Sequence, residues 1–121
     1  MGDRANVKVV EGSSTVYLYT HWGGSSLPDV LEAALRRKQR WTDGAYLARI
    51  IFSEMLKEAG EHALDDELGF GIFGDVVDGA YRVLVVDVDA QMVRHDNEED
   101  GATGTPIPFA EFTAARVIDW Q

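Results

Sequence analysis

The sequence predicts a single α+β domain spanning residues 1–121, with helices packed on one face of a mainly antiparallel sheet. Three observations predict this fold class. The 121 residues suffice for one hydrophobic core but not for two. Segments typical of strands lie on both sides of two segments whose apolar residues recur with the period of a helix. The resulting order of elements is ββααββ(β)α.

The first elements are a predicted hairpin and a predicted surface helix. Residues 6–10 and 15–20 are rich in β-forming residues, and the glycine and serines between them favour a turn. Ser26 and Asp29 have the spacing of a capping box, so we expect a helix to begin there. One face of this helix is apolar, through Leu27, Val30, Leu31, Ala34 and Leu35.

The second helix, residues 45–59, has only a narrow polar stripe, which predicts a central and mostly buried position. Residues 81–88 form the strongest strand pattern, and we expect this strand in the middle of the sheet. Residues 96–106 combine acidic residues with glycine and proline, which is typical of a flexible, solvated loop. Pro108 is expected to open a short last helix.

Composition excludes several classes of protein. No apolar stretch approaches the roughly 20 residues of a membrane helix, and no signal peptide is recognisable. The absence of cysteine excludes disulfides and thiolate metal sites, which fits a cytoplasmic location. Residues 1–57 hold six acidic and eight basic side chains, whereas residues 58–100 hold thirteen and two. The net charge of −10 argues against direct nucleic-acid binding and favours a basic protein surface as partner.

The turn formed by His21, Trp22, Gly23, Gly24, Ser25 and Ser26 is the first candidate site. Backbone N–H groups at the start of a helix attract anions, so a phosphate or carboxylate could bind there. The alternative is that the glycines only permit a tight turn and a serine only caps the helix. Because adjacent residues on a strand point to opposite sides, we expect His21 and Trp22 to face apart.

Basic residues supply a second set of candidates for ligand binding. Arg40 follows a run of cations at the end of the first helix, where cations also complement the helix dipole. Trp41 directly after it could stack on a ring of the ligand. Arg49 lies in the helix expected to be buried, so its guanidinium should need a carboxylate partner such as Glu54 or Asp43.

Catalytic and metal-binding motifs are not recognisable. The three histidines, His21, His62 and His95, lack metal-ligand spacing, and Asp87 with Asp89 is interpreted as the exposed end of a strand. His21 has no partner nearby in sequence that would make it a general base. We therefore predict no cofactor and no metal.

Two acidic clusters are candidates for binding a partner. The first cluster comprises Asp65, Asp66 and Glu67, and the second comprises Glu98, Glu99 and Asp100. An apolar tail around Val117, Ile118 and Trp120 could also close a homodimer.

Two strings, YLYTHWGG at residues 17–24 and YLARIIFSEM at residues 46–55, resemble those of a group of small proteins found in actinobacterial and phage genomes. The resemblance covers residues 15–95 and implies the order strand, helix, helix, strand, strand. It implies a phage or mobile-element setting and assigns no activity or catalytic residue. Two functions follow from the sequence: a non-enzymatic protein-interaction module, or a binder or hydrolase of small anionic molecules.

Overall fold

The computed structural model describes residues 2–57, 60, 69–77, 79–115, 118 and 120. Within them the strands are β1 (Ala5–Glu11), β2 (Ser14–Thr20), β3 (Phe70–Phe73), β4 (Arg82–Asp87), β5 (Met92–Asn97) and β6 (Ile107–Pro108). The helices are α1 (Leu27–Arg36), α2 (Gly44–Lys57) and α3 (Phe109–Ala115), and a 3-10 turn at Gly24–Ser26 precedes α1. The predicted fold class and order of elements are confirmed.

The six strands form one sheet in the order β3-β2-β1-β4-β5-β6. β1 runs parallel to β4, and every other neighbouring pair in this sheet is antiparallel. Val7 of β1 therefore lies between Leu18 of β2 and Leu84 of β4. The strongest predicted strand, β4, occupies the middle of the sheet as expected, because its run of Val and Leu is buried on both faces.

The core lies between the three helices and one face of the sheet. Alternate strand residues point to this face, so Val7 and Val9 of β1 are buried there together with their lateral neighbours. The helices contribute Leu31, Leu35, Leu47, Ile51, Phe109 and Phe112, each fully buried. Burial of a side chain of this size stabilises the fold by about 1.5–3 kcal/mol.

The predicted roles of the two long helices are reversed in the structure. α1 contacts both α2 and α3 and buries six of its ten residues. α2 buries six of fourteen and leaves Tyr46 56% exposed, so the prediction of a mostly buried second helix is wrong. The reason is position: α2 lies at the outer side of the helical layer, over β1 and β2.

The predicted capping box at the start of α1 is also wrong. Ser26 has helical backbone angles and makes no side-chain capping hydrogen bond, and its N–H donates to the Gly23 carbonyl. The 3-10 turn runs directly into α1, whereas a capping serine needs an extended backbone.

The acidic segment 96–106 begins later than predicted. Asp96 lies within β5 and is only 7% exposed, and an isolated bridge joins Asn97 to Ala102. The exposed part of this segment begins at Glu99 and continues to Pro106, with Gly104 half-buried.

Candidate functional site

The turn predicted to attract an anion does hold one, and it belongs to the chain itself. The Ser25 N–H donates to Asp3 Oδ2 at 2.7 Å, and the Gly24 N–H donates to the Asp3 carbonyl at 2.8 Å. Arg82 Nη2 donates to Asp3 Oδ1 at 2.8 Å. Hydrogen bonds from Ser25 and the charge of Arg82 hold the pKa of Asp3 below its usual value, against the opposing effect of burial. Asp3 thus stands where an external phosphate was expected.

Gly24 is enclosed at this turn. A Cβ on Gly24 would lie 2.6 Å from both the Asp3 carbonyl oxygen and Arg82 Nη2, so a side chain cannot be accommodated without a shift. The Gly24 carbonyl accepts a hydrogen bond from Trp120 Nε1 at 2.7 Å. Arg82 also stacks on the Trp120 ring, with Cζ 4.6 Å from its centroid. Gly24 permits this close packing, which accords with the structural interpretation of the turn.

His21 and Trp22 do not face apart as predicted. Their ring centroids are 4.4 Å apart in an edge-to-face contact, because regular strand geometry ends at Thr20. His21 Nδ1 shares a hydrogen bond of 2.8 Å with the Tyr19 hydroxyl, while Trp22 is 59% exposed. Among the described hydrogen bonds of His21, none joins it to a serine or threonine nucleophile.

Trp41 and Arg40 are both engaged within the protein. Trp41 Nε1 donates to the Leu35 carbonyl at 3.1 Å, and its ring packs edge-to-face on Phe109. The Trp41 ring is half-buried and packs against the core, and its stacking on a ligand stays a prediction. Arg40 has a positive φ of 62° and stacks on Tyr46, with Cζ 4.3 Å from the ring centroid.

Arg49 is exposed, so the prediction of a buried guanidinium is wrong. Its Nη1 donates to the Ser53 hydroxyl on the next turn of α2. The expected partner Glu54 is paired instead with Arg37, directly after α1, and with Lys57.

The two acidic clusters differ in what the structure shows. Asp65, Asp66 and Glu67 lie outside the described residues. Glu98 is held by Lys8 Nζ at 3.0 Å and by the Tyr17 hydroxyl at 2.9 Å, on the sheet face opposite the helices. Glu99 and Asp100 are exposed in the turn after β5.

The contacts of Glu98 also change the acidity of its partners. The pKa of Tyr17 is raised, mainly by burial and secondly by the hydrogen bond to Glu98. Burial alone would lower the pKa of Lys8, but the contacts with Glu98 and Tyr17 raise it. Glu98 is thus engaged by Lys8 and Tyr17, and its role in binding a partner stays a prediction.

The described residues contain no cluster of three side chains able to hold a metal ion. Asp89 Oδ2 accepts the Gly12 N–H at 2.6 Å, and Asp87 Oδ1 accepts the Ala90 N–H at 3.1 Å. Both carboxylates therefore cap turns. His95 stacks on Trp120, with ring centroids 4.5 Å apart, and His62 lies outside the described residues.

The predicted exposed tail packs on the protein instead. Ile118 and Trp120 are half-buried against the core, because Trp120 is anchored by Gly24 and Arg82. Val117 lies outside the described residues. No helix in the described part of the chain is long and apolar enough to span a membrane.

A pocket of about 440 Å³ lies between α2 and the strands β1, β2 and β3. Its walls are mainly apolar and are formed by Val9, Val16, Leu18, Ala45, Ala48, Phe52 and Ile72, with Gly44 at one end. Ser14, Thr15, Glu11 and Arg49 add polar groups. Glu11 Oε1 accepts the Gly44 N–H at 2.9 Å and so caps the start of α2.

Sequence reasoning found Arg49 but missed this pocket. A signal for it is nonetheless present in α2, where Ala45, Ala48, Arg49 and Phe52 follow the i, i+3, i+4, i+7 pattern of one helix face. Two alanines on a face that covers a sheet leave volume unfilled where larger side chains would pack. Locating that volume required knowing which strands α2 covers.

Comparison with known proteins yields no match: no family model matches the chain, and neither does a curated protein or a solved structure. The resemblance to small actinobacterial and phage proteins therefore stays a prediction.

Proposed function

We propose that the protein is a non-catalytic binding module that holds the apolar part of a small molecule in the pocket under α2. The observation that carries this proposal is the pocket itself. Its volume lies within the roughly 300–1,000 Å³ typical of ligand sites, and its mainly apolar walls with a few polar groups match their usual composition.

The packing around the pocket explains why apolar groups would enter it. Leu18 at its floor is fully buried, whereas Ile72 at its wall is 62% exposed. A ligand that covers Ile72 removes apolar surface from water, at a gain of about 25 cal/mol per Å². The pocket thus offers more stabilisation to an apolar occupant than a flat surface would.

Ligand titration tests the proposal with a variant that fills the pocket. Ala45 is exposed and lines the pocket, so Ala45→Phe should block it without overpacking the core. We expect the dye 1-anilinonaphthalene-8-sulfonate to bind the wild-type protein at one site and at least tenfold more weakly to Ala45→Phe. Fluorescence titration measures both affinities.

Ala110→Phe is the matched control, because Ala110 is an exposed helical alanine on α3 that does not line the pocket. It should bind the dye as the wild type does. Equal affinity of the wild type and Ala45→Phe would show that the pocket is not a binding site. Native mass spectrometry of the protein purified from cells would identify a retained molecule.

A second candidate function is docking of the acidic surface on a basic protein. The exposure of Glu99 and Asp100 and the acidic sequence of residues 58–100 support it. Reversing both charges, in Glu99→Lys with Asp100→Lys, should reduce capture of that partner from lysate; unchanged capture would remove this candidate. We further propose a cytoplasmic location and a phage or mobile-element setting, on the absence of cysteine and on the sequence resemblance.

A further inference from the structure

The charged residues around the pocket are not equivalent. Six ion pairs in the described part of the chain engage Lys8, Arg36, Arg37, Lys57, Arg82 and Arg94 with carboxylates. Arg49 takes part in none of these described ion pairs. Arg49 is also the basic residue among those that line the pocket.

We propose that the pocket binds molecules with an anionic head group on an apolar body, and that Arg49 holds the head group. The proposal rests on the proposed function, because the apolar body needs the pocket. The expected ligands are therefore amphipathic carboxylates or phosphates.

The geometry of Arg49 suits this role. A guanidinium has five N–H donors in a planar fork that matches carboxylate and phosphate oxygens. In Arg49, one Nη1 donor binds the Ser53 hydroxyl, and the other donors can bind a ligand. Ser53 itself is fixed, since its hydroxyl donates to the Arg49 carbonyl at 2.9 Å. The Ser53 contact therefore holds the Arg49 side chain along α2, where it lines the pocket.

Glu11, the acidic residue among the described residues of the lining, is engaged at the start of α2 and not in a described ion pair with Arg49. Its carboxylate is bound to the Gly44 N–H at the first residue of α2. Arg49 lies five residues further along the helix, about 7.5 Å along its axis at 1.5 Å per residue. Arg40, stacked on Tyr46 one turn before Arg49, adds positive charge on the same part of α2.

The charge pattern also argues against a cationic ligand. A cationic head group at this position would meet Arg49, which no carboxylate neutralises among the described ion pairs. An uncharged molecule would occupy the apolar walls and leave the guanidinium to water. A molecule with an anionic group on an apolar body is therefore stabilised both by the apolar walls and by the Arg49 guanidinium.

The test compares ligands that share a ten-carbon chain: decanoate, decyl phosphate, decan-1-ol and decyltrimethylammonium, each below its aggregation concentration. Isothermal titration of the wild type should give both anions an affinity roughly tenfold above that of the alcohol, since a charge-assisted hydrogen bond at an exposed arginine is of moderate strength. The cation should bind more weakly than the alcohol. The ratio of the two anions distinguishes carboxylates from phosphates as the source of the head group.

Arg49→Gln should bring the affinities for the anions down to that for decan-1-ol and leave the alcohol unchanged. Lys57→Gln is the charge-matched control, because it removes one positive charge from the far end of the same helix. It should keep the preference for anions within about twofold.

The outcomes separate the two proposals. If decan-1-ol binds the wild type as tightly as decanoate, or if Arg49→Gln keeps the preference, the assignment of an anionic ligand is wrong while the pocket remains a binding site. If none of the four probes binds, the assigned ligand class is wrong, and the dye titration of the wild type and Ala45→Phe decides separately whether the pocket is a binding site. Loss of all binding in Ala45→Phe together with loss of only the preference in Arg49→Gln would support both.

Discussion

Asp3 illustrates how a single residue can satisfy a turn that resembles a ligand site. Its carboxylate receives one backbone N–H from the Gly24–Ser26 segment and one guanidinium N–H from Arg82. Such charge-assisted hydrogen bonds are stronger than neutral ones. The side chain is 36% exposed, so solvent screening keeps its contribution moderate.

Replacing Asp3 by Asn should lower the free energy of unfolding by about 0.5–1.5 kcal/mol at pH 7, because Arg82 loses its charged partner. Asp100→Asn is the control: Asp100 Oδ1 also accepts a backbone N–H, from Ala102, but pairs with no cation in the described ion pairs. It should change stability by less than about 0.5 kcal/mol. Urea denaturation measures both.

The pH dependence of the Asp3 variant provides an independent check. The pKa of Asp3 is lowered in the folded protein, so the ionised carboxylate contributes stability above its unfolded pKa of about 3.9. That contribution is lost as the pH falls through the lower folded value. The stability difference between wild type and Asp3→Asn should therefore shrink below about pH 4. A difference that stays constant down to pH 2 would contradict the ion pair.

At the scale of elements, α1 and α2 are joined by more than apolar packing. Glu54 of α2 is 8% exposed and receives hydrogen bonds from Arg37, the residue directly after α1, and from Lys57. Burial alone would raise the pKa of Glu54, but the two cations lower it. The ion pair between Arg37 and Glu54 thus fixes the position of one helix relative to the other.

Glu54→Gln should lower the free energy of unfolding by about 1–3 kcal/mol, since it leaves Arg37 without its carboxylate. Glu32→Gln is the comparison, because Glu32 pairs with Arg36 within α1 on a more exposed surface. We expect that change to cost less than about 0.5 kcal/mol. Chemical denaturation at pH 7 gives both values. Similar losses in the two variants would show that the pair between Arg37 and Glu54 contributes no more stability than the pair within α1.

The elements that could be predicted from sequence are those whose pattern depends on local periodicity. The β4 run of Val and Leu and the apolar face of α1 predict their elements because neighbouring residues carry the signal. The pairing of Glu54 with Arg37 and not with Arg49 could not be predicted, since it depends on which side of α2 has a neighbouring helix. The contact of Asp3 with Ser25 joins residues far apart in sequence and has no local pattern.

On the scale of the whole molecule, residues near both ends of the sequence meet at one turn. Asp3 binds the N–H groups of Gly24 and Ser25, and Trp120 binds the Gly24 carbonyl and stacks on Arg82. His95 also contacts the Trp120 ring, with ring centroids 4.5 Å apart. The segment around Trp120 is thereby connected to β4, β5 and the start of α1.

Trp120→Ala should therefore destabilise the whole domain by about 1–3 kcal/mol, through loss of ring packing and of the Nε1 hydrogen bond. Trp22→Ala is the matched control, because Trp22 is 59% exposed. It should change the melting temperature by no more than an ordinary surface substitution. Equal melting temperatures of wild type and Trp120→Ala would show that the segment around Trp120 contributes nothing to the stability of the domain.

The parallel pairing of β1 with β4 has a consequence for synthesis on the ribosome. β1, β2, α1 and α2 emerge first, but the second edge of β1 has no partner until β4 has been made. Val7 and Val9 then lie at an open sheet edge, which can pair with other nascent chains. We expect chains arrested before β4 to aggregate or recruit chaperones, and chains that also expose β5 and α3 outside the ribosome to fold, because Phe109 and Phe112 of α3 complete the core.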